Sequence, residues 1–309
     1  MKNSSQATID FPDFPGASDT LKSVLVVGAQ STIGRGLLDS FASSGVSVWH
    51  TSRRKEGIDP RGLSLDLLQP TETWELPKTP VDVAFLCAAV TSLAQCMNEP
   101  EAAYAVNVLQ TVALARKLAE AGTFVIFIST NLVLDGRTPY AGIDEPFNPQ
   151  TIYGRQKAEA EQRLLALEKQ KRIAIVRFGK VIAPGLPLFE GWASSLRAGE
   201  MIQPFQDMVM APVALSFAIE VLRRVALMKQ PGVMQASAAD DMTFAEAARL
   251  IAQHVRAHPG LVVPRTRPAE GPFSPSHSTF DAKGLTTLGL LAPPPEQAFD
   301  YFLPTGVIH

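Results

Sequence analysis

Cysteine is scarce in this chain: 309 residues hold two, Cys87 and Cys96. Two thiols make no disulfide framework, and Cys87 closes an apolar run where a small buried hydrophobe fits. Charge is also sparse, at 19% of residues, and 28 Lys and Arg against 30 Asp and Glu leave a net charge of −2. A chain with no basic excess and no basic run gives no electrostatic ground for binding nucleic acid or an anionic membrane surface. No apolar stretch approaches the roughly 20 residues needed to span a bilayer. The opening residues, M-K-N-S-S-Q-A-T-I-D, lack the apolar core of a signal peptide, so a cytoplasmic location is expected. The histidines show no spacing with acids or cysteines that suits a metal, and His254 and His258, four apart, read as a solvated helix end. Internal repeats and low-complexity tracts are absent.

What is present is an apolar fraction of 46%, enough for one large domain or a domain with a smaller lobe. Residues 1–20 read as a flexible, polar, proline-containing arm with Phe11 and Phe14. After it, S-V-L-V-V-G-A-Q-S-T-I-G-R-G-L-L gives a short strand over 23–27, a turn at Gly28 and an amphipathic helix through Leu37, Leu38 and Phe41. Strand, glycine turn and helix place backbone N–H groups and a helix N-terminus where they meet a pyrophosphate. The candidate cradle is Gly28, Gln30, Ser31, Thr32, Ile33 and Gly34. A second strand over 46–50 is followed by Arg53 and Arg54, where a carboxylate would hold an adenosine ribose. Two guanidiniums suit a 2′-phosphate instead, so NADP(H) is expected in preference to NAD(H). Asp66 and Leu67 end a third strand beside adenine. Cys87, Ala88 and Ala89 end a fourth, small enough for a cofactor to lie against the backbone.

A long helix is expected from Asn98 to Gly122, with Asn107 buried in it and satisfied by backbone near the site. Then F-V-I-F-I-S-T forms a buried strand over 124–128 that ends in the hydroxyls Ser129 and Thr130. Downstream, Q-T-I-Y-G-R-Q-K opens a helix that carries Tyr153 and Lys157 one turn apart on one face. A phenol beside an ammonium has its pKa lowered by that charge and exchanges a proton near neutral pH, with a strand-end hydroxyl to hold a substrate oxygen. Y-x-x-x-K alone is a weak signal, and its weight comes from the dinucleotide turn upstream. A sixth strand ends at Arg177. The alternation implies an α/β fold, a Rossmann-type doubly wound parallel sheet. It spans 21–178 with a return helix near 211–229. The irregular, proline-rich stretches 179–210 and 230–309 are expected to form a smaller substrate-binding lobe with short helices over 192–198 and 243–257.

These residues resemble the extended short-chain dehydrogenase/reductase superfamily, and within it the dTDP-4-dehydrorhamnose reductase, or RmlD-like sugar-nucleotide-binding, family. The resemblance runs nearly the whole chain from Val24. It is carried by D-V-A-F-L-C-A-A-V-T, by I-S-T-N-L-V-L-D-G, by P-Y-A-G-I-D-E-P-F-N-P-Q-T-I-Y-G-R-Q-K and by S-H-S-T-F-D-A-K-G-L. It implies Thr130 as catalytic hydroxyl, Tyr153 as acid/base and Lys157 as partner to Tyr153 and the nicotinamide ribose. Ser129, Tyr153 and Lys157 would also touch the cofactor, and Val90, Thr91, Asn131 and Tyr153 the substrate. The implied reaction is NADPH-dependent reduction of a nucleotide-linked 4-keto-deoxysugar in a homodimer packed through helices over 102–119 and 153–167. The alternatives are an epimerase, a dehydratase or another carbonyl reductase on the same scaffold, or a non-catalytic NADP-binding regulatory subunit such as that of methionine adenosyltransferase. The sequence departs from the family pattern at Ser31 (Gly), Asn131 (Asp), Val90 (aromatic or His) and Gln95–Cys96 (an acidic pair).

Overall fold

The computed structural model describes residues 21–53, 60–167, 172–270 and 273–303. The arm over 1–20, with Phe11 and Phe14, and the side chain of Arg54 lie outside the described residues. Among those described, the strands in chain order are β1 (Ser23–Val27), β2 (Ser47–Ser52), β3 (Gly62–Ser64), β4 (Val83–Leu86), β5 (Phe124–Thr130), β6 (Ile173–Phe178), β7 (Lys180–Ile182), β8 (Val209–Met210), β9 (Pro212–Ala214), β10 (Gly232–Ala236) and β11 (Met242–Thr243). The α-helices are α1 (Thr32–Phe41), α2 (Leu93–Asn98), α3 (Pro100–Tyr104), α4 (Thr111–Glu120), α5 (Ile152–Ala166), α6 (Pro187–Arg197), α7 (Leu215–Met228), α8 (Phe244–His254) and α9 (Lys283–Thr287).

One parallel sheet runs in the order β10-β6-β5-β4-β1-β2-β3. Parallel strands are covered on both faces, so each apolar run feeds two cores. Val24 and Val26 of β1 join one core with Leu37 and Phe41 of α1 and Val221 and Leu222 of α7. Leu25 and Val27 join the other with Leu114 and Leu118 of α4 and Leu164 of α5. Strand order reverses between β1 and β4, which opens a crevice at their carboxyl ends. A further apolar cluster lies outside the sheet. It gathers Phe189 and Leu196 of α6, Ala248 and Ile251 of α8, and Phe299 and Phe302. No helix among the described residues is long and apolar enough to cross a membrane.

Two expectations need correction. Gly232–Ala236, assigned on sequence to the lobe, pairs with β6 and extends the main sheet, while Leu285 and Leu288 from the α9 region pack into the sheet's core. The expected long helix runs unbroken from Pro100 to Glu120, with one departure: Ala105–Gln110, between α3 and α4, is π-helical. The side chain of Asn107 lies in that wider turn, which brings it onto the backbone at Val90. Finally, α6 starts at Pro187, not near Trp192, because a proline in the first turn lacks only an N–H that would have no partner there.

Phe85 lies fully buried at the centre of the sheet, its ring 6.0 Å from that of Phe41. Phe85→Ala is expected to cost about 3–5 kcal/mol, seen as a lower urea midpoint with an unchanged slope.

Candidate active site

The turn after β1 is built by close approach. Gly28 has φ +81°, and a Cβ there would lie 2.7 Å from the backbone of Ala88. A side chain at 28 would therefore strike the end of β4. The Gly28 N–H donates to Thr51 Oγ1 at 3.0 Å, which ties the turn to the end of β2. Gly34 packs against the Gly28 carbonyl, where a Cβ would overlap it. Ser31, the departure from glycine, has an extended backbone and caps α1, its Oγ accepting the Gly34 N–H at 3.0 Å. Any residue adopts that backbone, and serine is among the best N-caps. The substitution therefore strengthens the start of the helix and leaves the hydroxyl hydrogen for an anion.

A cleft of about 520 Å³ opens over this turn. It gathers the expected residues Gly28, Gln30, Ser31, Arg53, Asp66 and Leu67 with Cys87 to Thr91 of the β4 end. Thr32, Ile33 and Gly34 do not line it: Thr32 is exposed, Ile33 packs on the core and Gly34 is buried in the turn. Asp66 Oδ1 accepts the Leu68 N–H at 3.0 Å, and its carbonyl accepts the Trp74 indole N–H at 2.9 Å, so this corner is firmly held. Arg35, absent from the sequence expectation, lines the cleft with Arg53. The signal for it was available: it is the cation that directly follows the last glycine of the turn. The cleft thus offers two guanidiniums, a helix N-terminus and a glycine floor, and these fit a phosphorylated dinucleotide.

The expected proton-transfer set lies where β5 meets α5, beyond the residues that line the cleft. Thr151 caps α5 through the Gly154 N–H at 2.9 Å, and Gly154 sits against the Leu132 carbonyl, where a Cβ would overlap it. This approach brings Tyr153 and Lys157 to the end of β5. Thr130 Oγ1 accepts the Leu132 N–H at 3.2 Å and donates to Asn131 Oδ1 at 3.3 Å. Lys157 is 2% exposed; its Nζ donates to the Ile128 carbonyl at 2.6 Å and stands 3.6 Å from the centre of the Phe127 ring. Burial lowers its pKa to about 7, against the opposing pull of Glu161 and Cys87. Burial also raises the Tyr153 phenol above its usual range, with the nearby Cys96 thiol adding to the shift. The lowered phenol pKa expected from the sequence is therefore absent here, because desolvation dominates and the ammonium is directed to Ile128.

Other assigned residues have different tasks. Ser129 points to the opposite side from Thr130, as strand alternation requires. It is buried and donates to Glu161, which also forms an ion pair with Arg177 at 2.8 Å. Its side chain faces the interior, not the cleft. Asn131 Nδ2 donates to Ser278 Oγ at 3.3 Å, and the side chain lines a small cavity with Asp135 and His277 apart from the main cleft. Asn107 meets the expectation of backbone satisfaction: it accepts the Val90 N–H at 2.8 Å and donates to the Val90 carbonyl at 2.9 Å. It also donates to Gln156 Oε1 of α5 at 2.8 Å, a link that the sequence did not reveal. Cys96 is buried under Val90, its thiol directed at the Val90 carbonyl at 3.4 Å. Among the described residues no group of three or more His, Cys, Asp or Glu is placed to hold a metal ion.

Over residues 22–300 the chain matches the RmlD substrate binding domain family. It is 29% identical over 279 residues to the dTDP-4-dehydrorhamnose reductase of Mycolicibacterium smegmatis, covering 86% of this chain and 80% of that one. It is 27% identical over 292 residues to methionine adenosyltransferase 2 subunit beta of Mus musculus, covering 86% and 82%. The fold superposes on the dTDP-4-dehydrorhamnose reductase of Bacillus anthracis, solved with NADP, with a TM-score of 0.78 at 20% identity over 92% of this chain and 99% of that one.

Thr51→Val would leave the Gly28 N–H without its acceptor. The expected loss is about 1–3 kcal/mol in urea unfolding together with weaker dinucleotide binding, whereas Thr51→Ser retains both.

Proposed function

The chain belongs to the RmlD substrate binding domain family of extended short-chain dehydrogenases/reductases, and from that premise we propose that it is an NADP(H)-dependent reductase of a nucleotide-linked 4-keto-deoxysugar. One observation carries the proposal: Thr130, Tyr153 and Lys157 are gathered at the β5–α5 junction of a chain whose β1 turn fits a dinucleotide. When bound, NADPH supplies the hydride for the substrate carbonyl carbon. Thr130 holds the carbonyl oxygen by a hydrogen bond, in exchange for its bond to Asn131. Tyr153 gives that oxygen its proton, and a phenol kept protonated by burial is the right form for a proton donor. Lys157 holds the nicotinamide ribose and neutralises the phenolate that Tyr153 becomes.

Arg53 and Arg35 would take the 2′-phosphate, which favours NADP(H) over NAD(H), and Gly28, Gln30, Ser31, Ala88 and Ala89 the pyrophosphate and ribose. Residues 21–178, α7 and β10 form the cofactor domain, and the lobe built on α6 and α8 would select the sugar nucleotide. We place the enzyme in the cytoplasm as a homodimer packed through the helices around 102–119 and α5.

A second reading has two observations in its favour. The proton-transfer set is not among the residues lining the cleft, and Asn131 is bonded to Ser278 rather than directed at the cleft. This suits a non-catalytic NADP-binding subunit, and the mouse relative is named as a subunit of methionine adenosyltransferase 2. An epimerase on this scaffold would retain its cofactor and consume none.

NADPH oxidation with a panel of nucleotide-linked 4-keto-6-deoxysugars tests the proposal. Tyr153→Phe should lower kcat by about 10²–10⁴-fold while NADPH still binds; unchanged turnover would remove Tyr153 from the mechanism. In the same protein, Arg35→Ala and Arg53→Ala should each weaken NADPH binding by about tenfold or more and leave NADH binding unchanged.

A further inference from the structure

Thr130 does not stand alone at the end of β5. Its Oγ1 accepts the Leu132 N–H at 3.2 Å, and its hydrogen goes to Asn131 Oδ1 at 3.3 Å. The other end of the same amide is occupied too. Asn131 Nδ2 donates to Ser278 Oγ at 3.3 Å, 147 residues away in the chain. An amide has one accepting end and one donating end, so these two contacts fix which way it faces.

Ser278 is itself firmly held. It is 5% exposed, and its N–H donates to Asp241 Oδ1 at 2.8 Å. Asp241, just before β11, also meets His277 Nδ1 at 3.1 Å. On its other side the segment 277–281 is joined to the loop that follows β5. The His277 N–H donates to the Gly136 carbonyl at 2.8 Å, the Ala141 N–H to the Thr279 carbonyl at 3.2 Å, and the Asp281 N–H to the Ala141 carbonyl at 3.1 Å. The fit is close: Gly136 has φ +67°, and a Cβ there would overlap Pro275. The cavity that Asn131 lines with Ser278 and His277 measures about 10 Å³, room for one water and none for a sugar. Asn131 is not among the residues of the large cleft either. Its two ends meet a hydroxyl of β5 and a buried segment from the far end of the chain.

We infer that Asn131 is a positioning residue: it carries the hold of Ser278 to Thr130, setting where the Thr130 hydroxyl stands and giving its hydrogen an acceptor until a substrate carbonyl oxygen takes that place. This rests on the reading of Thr130 as the hydroxyl that holds the carbonyl oxygen. A threonine side chain left to itself samples several staggered positions, and its hydroxyl hydrogen turns freely. A donor fixed before the substrate arrives has no reorganisation left to do during the reaction. On arrival one hydrogen bond replaces another at Thr130, while Asn131 stays anchored at Ser278.

Two double-mutant cycles test this. Thr130→Val and Ser278→Ala each remove one hydroxyl, and among the described residues no hydrogen bond joins the two side chains directly. The first cycle reads NADPH oxidation with nucleotide-linked 4-keto-6-deoxysugars. Ser278→Ala should lower kcat by about tenfold and leave the NADPH dissociation constant unchanged. In the Thr130→Val background the same change should lower kcat by less than about twofold, because no hydroxyl is left to position. Asn131→Leu should behave as Ser278→Ala does, and Asn131→Asp, which keeps an acceptor for Thr130, should lose less. An equal loss in both backgrounds would make Ser278 a packing element and overturn the inference.

The second cycle needs no turnover and reads the urea midpoint of the cofactor-free protein. The shifts caused by Thr130→Val and Ser278→Ala together should fall short of their sum, and should add once Asn131→Leu has removed the amide between them. Additive shifts with Asn131 in place would overturn the inference whatever the activity. Should Ser278→Ala not fold, Ser278→Cys keeps the volume, weakens the acceptor and serves in both cycles. If the wild type reduces no sugar, the proposed function falls while the unfolding cycle still decides whether Asn131 ties Thr130 to Ser278. If sugars are reduced and both cycles are additive, the proposed function stands and the inference falls.

Discussion

An ammonium with 2% exposure, donating 2.6 Å to a strand carbonyl, constrains everything around it. Water would solvate Lys157 far better than this interior does, and its lowered pKa measures that disadvantage. To bring the ammonium to Ile128, α5 must lie close against β5. The helix does so with small residues: Gly154 meets the Leu132 carbonyl just past β5, and Ala160 packs in the core that holds Val125 and Phe127 of β5. The Phe127 ring then provides part of the electrostatic environment that the lost water no longer does. Sequence, helix docking and chemistry meet in one run, Y-G-R-Q-K-A-E-A-E.

The cofactor cleft depends on a second close approach. Reversal of strand order between β1 and β4 opens the crevice, and Gly28 against Ala88 sets how closely the chain ends converge there. Asn107 joins the two halves of the site. One amide holds both backbone groups of Val90 at the cleft and reaches Gln156 on α5, so the cleft loop and α5 share a buried hydrogen-bond network. Such a network is strong because every member is satisfied, and the π-helical turn at Ala105–Gln110 is the backbone distortion that brings Asn107 into it.

Much of this was legible in the residues. The runs V-L-V-V, V-A-F-L and F-V-I-F-I are apolar at successive positions, as only doubly covered parallel strands are, and the sheet follows from them. Gly28 and the Y-x-x-x-K spacing pointed to both halves of the candidate site. What the sequence hid is long-range. Nothing local tells that Ser129 faces Glu161, or that Glu161 meets Arg177 on a strand 16 residues further on. Nothing local shows that burial would outweigh the Lys157 charge at Tyr153. The strand at Gly232–Ala236 was missed because Gly and a short V-M-Q-A run carry little pattern, and its partner β6 lies far back in the chain.

In the proposed reaction NADPH gives a hydride to a sugar carbonyl while the β5–α5 junction gives a proton to its oxygen. The most direct measurement uses NADPH carrying deuterium at the transferable C4 position, with a nucleotide-linked 4-keto-6-deoxysugar, and reads the product by mass spectrometry. The expected result is one deuterium retained on the sugar carbon that had been the ketone, with one NADP⁺ formed for each sugar reduced. Deuterium that stays on the nicotinamide while the protein binds NADPH tightly would contradict it and make the chain a binding subunit.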